Sequence, residues 1–173
     1  MSNLHKMKRL NAGCGQDILP GYVNMDQLKM KGVDVVGSLD KRLPFKDNTF
    51  DEIRCISVLE HVKDVSVTMK EFYRILKKGG KLVLNIPHFT STNIPSDPTH
   101  LRGFSYHTMD FYCGKSFYYD FKFKLLSEKL NFGKKFALWN WIIEPLANMF
   151  PAVYENTPLR VFPAMNMDIV LQK

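Results

Sequence analysis

The segment Lys8-Arg9-Leu10-Asn11-Ala12-Gly13-Cys14-Gly15-Gln16-Asp17 decides how the rest of the sequence is interpreted. An apolar-leaning run leads into two glycines separated by one residue, which is typical of a strand that ends at a ligand-binding turn in an α/β sheet. Glycine adopts positive φ and has no Cβ, so a ligand can lie against its peptide plane. A Gly-x-Gly tripeptide is equally compatible with an ordinary turn. The residues that follow must discriminate between the two.

Short strands and one helix alternate after this segment. We predict strands at about 8–12, 22–26, 33–37, 51–56 and 81–86, the third of them buried on both faces. Residues 16–19 leave room for at most one or two helical turns before Pro20-Gly21. Apolar spacings of three and four predict a helix from about Val65 to Leu76, with Lys77 and Lys78 in its last turn and Gly79-Gly80 as a left-handed cap. This alternation predicts a doubly wound parallel sheet, which binds its ligand at the carboxyl ends of the strands.

The chain changes character after Pro87. Residues 88–104 form a polar loop of a length that is usually functional. Ser105 is predicted to cap a short helix that runs to about Tyr112. Alternation of apolar and polar residues predicts strands at 117–125 and 165–172. Between them, 137–146 is predicted to be a helix that is broken or kinked at Pro145.

The composition is that of a soluble globular protein of 173 residues. It contains no apolar run long enough to span a membrane, and no signal-peptide core at its start, so we expect a cytoplasmic location. Three cysteines make neither a disulfide framework nor a metal knuckle. The net charge of +7 favours anionic partners, nucleic acid included, but the lysines are scattered, the pair at 134–135 among them, and form no long tract.

The glycine segment lacks the features of two common nucleotide sites. A dinucleotide fingerprint needs a third glycine and an acid about 20 residues further on. Here Ile18 occupies the third position and Asp26 comes eleven residues after Gly15. A Walker phosphate loop needs Gly-Lys-Ser/Thr, which is absent. A cofactor with an adenosine end and no pyrophosphate fits the pattern better.

These segments together resemble the class I S-adenosylmethionine-dependent methyltransferases. Residues 10–15 are similar to the glycine-rich first motif of that family, 21–26 to its second strand with a ribose-binding acid, 43–51 and 58–62 to the runs around its fourth strand, and 71–80 to the helix and turn before its fifth. The resemblance covers roughly 8–88. It implies a Rossmann-like sheet of about seven mostly parallel strands, with an antiparallel C-terminal hairpin and helices on both faces. A single domain would span 1–173, with a cofactor-binding half at 8–88 and a substrate-side half at 89–173 that contains an insertion at 130–160.

The resemblance also implies a cofactor, S-adenosylmethionine, whose product is S-adenosylhomocysteine. Gly13 and Gly15 would pass beneath its methionine portion, Asp26 would accept hydrogen bonds from both ribose hydroxyls, and the Ser57 backbone would hold the amino group. Leu39 and Asp40 would meet the adenine. The full set implied for cofactor binding is Asn11, Ala12, Gly13, Cys14, Gly15, Asp26, Gln27, Leu39, Asp40, Ser57, Val58 and His61. The shortened first helix departs from the family's commonest pattern and leaves the outer side of the cofactor less covered.

We expect the methyl acceptor to bind in the loop at 88–107. His100 and His88 are the candidate general bases, a role that is needed only when the acceptor is a protonated hydroxyl or amine. Arg102 is a candidate for holding an anion and Tyr106 a further candidate substrate contact. In the alternative interpretation, His100 and Arg102 anchor the loop to its own carbonyl groups. A metal is not expected, because Asp97 with two histidines on one loop is a weak ligand set.

Three functions remain open from the sequence. The first is methyl transfer to an oxygen or nitrogen of a small molecule. The second is methylation of RNA, DNA or protein, although 56–59 lacks the Asn/Asp-Pro-Pro-aromatic tetrapeptide of the commonest base-amino methyltransferases. The third is a cofactor-binding subunit that needs a partner chain.

The apolar segment 139–150 is predicted to cover the sheet or the active site. The alternatives for it are a homodimer surface through 137–150, a lid over an apolar substrate, and a membrane-interface helix.

Overall fold

Seven strands form one sheet in the computed structural model, which describes residues 7–133 and 137–173. Their order is β3-β2-β1-β4-β5-β7-β6, and β1 to β5 run parallel while β7 pairs antiparallel with both β5 and β6. The predicted α/β fold class with its antiparallel C-terminal hairpin is confirmed. The start of the chain at 1–6, where no signal-peptide core is expected, and the lysine pair at 134–135 lie outside the described residues. The strands are β1 Arg9–Ala12, β2 Val23–Asp26, β3 Val35–Val36, β4 Phe50–Ile56, β5 Leu76–Pro87, β6 Lys124–Phe132 and β7 Ala164–Gln172.

In residues 7–133 and 137–173, four α-helices accompany the sheet: α1 Val65–Ile75, α2 Asn93–Ser96, α3 Asn140–Met149 and α4 Pro151–Asn156. Short 3₁₀ helices lie at Met109–Phe111 and Pro158–Val161, so the helix predicted from Ser105 is reduced to turns and one 3₁₀ segment. Among the helices of the described residues, none has the length and apolarity needed to cross a membrane.

The helix α1 begins at the predicted residue but ends differently from the prediction. Its start is fixed by Asp64, whose carboxylate accepts hydrogen bonds from the backbone N–H groups of Ser66 and Val67. Its end is Ile75, because the last carbonyls are satisfied by the N–H groups of residues 48 and 49 rather than by a glycine cap. Leu76 is already extended and opens β5, so the predicted cap was wrong: Gly79 has φ +79° inside the strand, and its N–H donates to the Lys173 carbonyl.

The connections among the first strands are loops. Between β1 and β2 the described residues form turns and no helix, so even the short helix allowed at 16–19 is absent. The prediction that the third strand is buried on both faces was wrong. It is a two-residue strand at the edge of the sheet, and Val36 is 53% exposed.

The strand predicted at 117–125 was wrong, whereas the one at 165–172 is confirmed as β7. The strand β6 starts only at Lys124, which pairs with Gln172 at the end of β7, so 117–123 lie beyond the reach of the partner strand. The alternation seen in the sequence has another cause. Phe121 and Phe123 pack against Tyr73 of α1 and against each other, and Tyr119 packs against Phe121 in the same aromatic cluster.

The helix α3 covers the edge strand β6 with polar side chains. Asn148 donates to the carbonyl of Leu130 and accepts from its N–H, and Glu144 accepts from the N–H of Phe132. These bonds satisfy backbone groups that an edge strand otherwise presents to solvent or to another chain. The buried positions of α3 are therefore Asn140, Glu144 and Ala147, whereas Trp141, Ile142, Leu146 and Met149 are exposed.

The prediction that 139–150 covers the sheet is therefore right for the polar side of α3, but most of the apolar side chains of the segment are exposed. They are Trp139, Trp141, Ile142, Leu146, Met149 and Phe150. The helix also runs through Pro145 without a break. It ends instead at Phe150, which leaves the helical region because it precedes Pro151.

Candidate cofactor and acceptor site

A cleft of about 410 Å³ opens at the carboxyl ends of the central parallel strands, where the chain order reverses between β1 and β4. This is the place at which doubly wound sheets bind ligands, and the volume lies within the usual range for small-molecule sites. Its walls contain eight of the residues implied for cofactor binding and four others. The lining is Gly13, Asp26, Gln27, Gly37, Ser38, Leu39, Asp40, Ser57, Val58, His61, Val62 and Thr99.

The glycine turn needs glycine at its first position for two independent reasons. Gly13 has φ +70°, a conformation that side chains disfavour. A Cβ at this position would also lie 2.6 Å from two methyl carbons of Val58, which lines the cleft opposite. The close approach of these two residues sets the floor of the cleft.

Asp26 is held in place at the end of β2 by two backbone groups. One carboxylate oxygen accepts from the N–H of Gly15 at 2.8 Å, and the other accepts from the N–H of Leu28 at 2.9 Å. Each oxygen retains a second lone pair for a ligand. The carboxylate is therefore fixed in orientation at the wall of the cleft, as recognition of a ribose diol requires.

Three residues implied for cofactor binding support the glycine turn from behind. The Asn11 side chain donates to the Asp17 carbonyl and to Asn24 Oδ1, and Ala12 is buried. Cys14 is also buried, and its backbone N–H donates to the Met25 carbonyl, as does that of Gly13. These three residues do not line the cleft, so a role for them in cofactor binding stays a prediction.

Ser57 stands in the left-handed region with φ +53° directly after β4. A non-glycine residue in that region stores strain, which occurs most often where function requires a particular backbone direction. Its N–H donates to the Asn85 carbonyl, so its carbonyl oxygen is the backbone group suited to an ammonium ligand. Asp40, on the opposite wall, accepts from the N–H of Lys63 at 2.7 Å through one oxygen.

The loop implied for the acceptor closes one side of the cleft. It is tied to the turn after β4 by the N–H of Leu101, which donates to the Glu60 carbonyl. His61 and Thr99 meet across this junction, with His61 Nδ1 3.0 Å from Thr99 Oγ1. The rings of His61 and His100 lie 4.7 Å apart, and Glu60 Oε1 is 3.9 Å from His100 Nε2.

Arg102 anchors this loop rather than presenting a free cation. Its guanidinium donates to the carbonyls of Val62 and Lys63 at 2.8 and 3.0 Å. Of the two interpretations that the sequence left open, the anchoring one is therefore right for Arg102. Tyr106 is half-buried, its N–H donates to Glu155, and the described cleft lining does not include it. Its predicted contact with substrate has no support in the structure.

His88 is 0% exposed, which excludes the catalytic and substrate-binding roles predicted for it. Its Nδ1 accepts from the N–H of Thr90, and its Nε2 donates to Glu155 at 2.9 Å. Burial lowers the pKa of His88, so the ring is neutral and acts as a fixed hydrogen-bonding group. The pair joins the end of β5 to α4 inside the protein.

The sequence reasoning assigned no role to Glu60, which is 2% exposed next to His61. Burial raises the pKa of its carboxyl group above the ordinary value. The sequence contained a signal for it. The pair Glu60-His61 comes shortly after β4, and the topology of a doubly wound sheet places the carboxyl end of this strand beside the ligand cleft.

The comparison with known sequences agrees with this geometry. Residues 4–84 match the profile of the family described as methyltransferase domain. Over these residues, slightly less than half of the chain, the sequence is similar to a methyltransferase domain. The match covers the strands that line the cleft.

The chain is similar to curated enzymes over a limited length. It is 35% identical over 74 residues to the ubiquinone/menaquinone biosynthesis C-methyltransferase of Enterobacter sp. strain 638, which covers 39% of this chain and 30% of that enzyme. The chain thus matches less than a third of the length of such curated relatives.

Solved structures share the class I methyltransferase fold over nearly the whole chain. An S-adenosylmethionine-dependent methyltransferase from Mesorhizobium loti superposes with a TM-score of 0.64 at 13% identity, covering 100% of this chain and 94% of that one. The complex between the Trm112 methyltransferase activator and a methyltransferase of Haloferax volcanii gives 0.60 at 16% identity, covering 96% and 82%.

Proposed function

We propose that the protein transfers the methyl group of S-adenosylmethionine to an oxygen or nitrogen of a small molecule. The observation that carries the proposal is the position of Gly13, Asp26 and Ser57, which come from three strand ends and line one cleft. The residues fit the cofactor: a fixed carboxylate suits the ribose diol, a turn without Cβ admits the methionine portion, and a backbone carbonyl suits the ammonium group.

The chain's own residues would bind, orient and exclude water. Asp26 holds the ribose, Leu39 and Asp40 flank the adenine, and Ser57 holds the amino group. The bound cofactor supplies an activated methyl group on a sulfonium centre. The enzyme's main task is then alignment of the acceptor with this group, away from water.

The acceptor would enter beside His61 and the loop that contains His100. On this side the loop is bonded to the turn after β4 through Leu101 and Arg102. A cleft of about 410 Å³ that this loop borders suits a small molecule better than a folded nucleic acid or protein surface. His100 is the residue that we propose to contact the acceptor, with Nε2 as the nitrogen that can take a proton.

A second candidate is a cofactor-binding subunit that acts with a partner chain. The outward apolar side of α3 and α4 favours it, because such exposed surfaces mark interaction sites. The Haloferax volcanii neighbour, solved with an activator protein, supplies a precedent in the fold.

Calorimetric titration with S-adenosylhomocysteine tests the proposed cofactor site. We expect binding by the wild type and a loss of about 2 kcal/mol in Asp26→Ala, because a charged hydrogen-bond acceptor for two hydroxyls is removed. Asp17→Ala is the matched control: Asp17 is an exposed carboxylate beside the same turn that pairs with Arg54 outside the cleft lining. Equal affinity of the two variants would refute the role of Asp26, and absence of binding by the wild type would leave only the partner-dependent candidate.

We also propose that the chain is a single domain that forms a homodimer through 137–150. All seven strands share one sheet, and Ile142 is 67% exposed at the centre of the apolar side of α3. Light scattering should give twice the chain mass for the wild type and for Val36→Lys, a control at a distant exposed valine, but the monomer mass for Ile142→Lys. A monomeric wild type would contradict the dimer.

We propose in addition a cytoplasmic location. The free thiols of Cys14, Cys55 and Cys113 support it, because cysteines stay reduced in that compartment.

A further inference from the structure

Three side chains at the mouth of the cleft converge without bonding to one another. One potential ligand atom from each of Glu60, His61 and His100 lies within 4.8 Å of the other two. Glu60 and His61 follow β4, and His100 comes from the acceptor loop. The cluster therefore bridges two separate segments of the chain beside the cofactor cleft.

The hydrogen bonds of His100 determine which of its nitrogens is available. Its Nδ1 lies 3.1 Å from the carbonyl oxygen of Asn93. A carbonyl only accepts, so Nδ1 carries the proton, and the neutral ring has its lone pair on Nε2. The Nε2 atom faces Glu60 Oε1 at 3.9 Å and Asp97 Oδ2 at 3.8 Å, both beyond hydrogen-bond distance.

His61 is held in the same tautomer by a short relay. The Thr99 hydroxyl donates to Asp97 Oδ1 at 2.6 Å, so its oxygen must accept from His61 Nδ1 at 3.0 Å. The Thr99 carbonyl is a second acceptor for this N–H, at 3.3 Å. The lone pair of neutral His61 is therefore on Nε2. Metal-binding histidines typically donate their other ring N–H to a carbonyl or similar acceptor in this way.

Glu60 supplies a buried carboxyl group with one unpartnered oxygen. The residue is 2% exposed, and its Oε2 atom is buried and makes no hydrogen bond. A polar group in that state is costly unless something compensates for it. The two imidazole lone pairs offer this oxygen no hydrogen-bond donor, whereas a cation bound by all three groups would compensate for it.

We propose that Glu60, His61 and His100 bind a divalent transition-metal ion of the zinc class. Two imidazoles and one carboxylate are the ligands of many three-residue zinc sites that keep a further position for water or substrate. Imidazole favours zinc and its neighbours over magnesium or calcium. Ligand atoms around such an ion stand about 3.4 Å apart, so side-chain rotations must bring the three atoms closer together.

The ion would fasten the acceptor loop to the turn after β4. It would add a strong bond to a junction that is otherwise held by Leu101, Arg102 and the His61–Thr99 contact. With the ion bound, His100 Nε2 is a metal ligand and cannot take a proton from the acceptor. This consequence for catalysis rests on the proposed function. The metal site itself does not depend on which acceptor the protein uses.

Metal-free protein, prepared with a chelator that is then removed, is titrated with Co²⁺ and followed by its visible absorption, with Zn²⁺ measured by calorimetry. We expect one ion per chain. Glu60→Gln, His61→Gln and His100→Gln should each weaken binding at least tenfold, while His107→Gln, a partly exposed histidine that pairs with Asp110 outside the cluster, should bind like the wild type. Zn²⁺ should raise the melting temperature of the wild type and His107→Gln only.

Two results would overturn the site. One is absence of binding at one equivalent by the wild type, and the other is equal binding by all four variants, which would place the ion elsewhere. Three separate ligand variants are included so that the failure of one to fold leaves two that decide. S-adenosylhomocysteine affinity, measured without metal, separates a failure of this site from a failure of the proposed function.

Discussion

Replacement of Glu155 by alanine is expected to lower the free energy of unfolding by about 3–5 kcal/mol. Glu155 is 8% exposed, and its carboxylate accepts from His88 Nε2, the Ser105 hydroxyl and the N–H of Tyr106. These bonds, above all that from the Tyr106 N–H, lower the pKa of Glu155 in spite of its burial, so the group is ionised at neutral pH. Alanine would leave three donors without an acceptor.

Urea unfolding followed by circular dichroism measures this loss. Asp120→Ala is the control, because Asp120 also forms an ion pair, with Lys70, but on the surface. Its removal should leave the unfolding midpoint essentially unchanged. Folded Glu155→Ala should still bind S-adenosylhomocysteine, since Glu155 does not line the described cleft. A midpoint equal to that of the wild type would contradict the anchoring role of the His88–Glu155 pair.

The second large effect concerns the dependence of stability on pH. Both carboxylate oxygens of Glu128 in β6 are buried without a hydrogen-bond partner. Burial raises the pKa of Glu128 from 4.5 to about 8, Asp110 and Glu155 add to the rise, and Lys115 opposes it. The folded protein therefore keeps a proton that the unfolded chain releases. The resulting stability is fully present below pH 4.5 and is lost as the pH rises through about 8.

Glu128→Gln removes this titration, so the difference in stability between the variant and the wild type reports on Glu128 and not on the other titrating groups. The stability of the variant relative to the wild type should rise by about 1.4 kcal/mol per pH unit between the pKa values of 4.5 and about 8, or on the order of 5 kcal/mol in total. Urea unfolding of both proteins at pH 5, 6, 7 and 8 gives this difference directly. A difference that stays constant over the range would show that Glu128 is already ionised in the folded protein.

The sequence predicted the cofactor half well because its signals are local. Gly13, Asp26 and Ser57 follow strands whose apolar runs are legible, and parallel strand ends meet at one edge by topology. The C-terminal half failed where the deciding contact is distant. The aromatic alternation at 117–125 reflects packing on Tyr73. No local pattern shows that β7 ends at Gln172, opposite Lys124, and so cannot pair with the residues before Lys124.

The acceptor side shows the same limit. His88 and His100 are both polar loop residues in the sequence, but His100 lies next to His61 of the cleft lining, whereas Glu155, 67 positions from His88, holds His88 inside the protein. Glu128 and Glu155 carry no sequence signal, since each is a single acid in an otherwise ordinary strand or helix. Their states are set by neighbours from other elements.

The polar side of α3 has a consequence for how this chain can diversify. Asn140, Glu144 and Asn148 secure the helix to its neighbour through backbone-directed bonds, so the fold draws little on the opposite side of the same helix. Substitutions there should be nearly neutral for folding while they change what the surface recognises. The helix α3 thus separates the residues that cover the edge of the sheet from those that are open to selection for new partners.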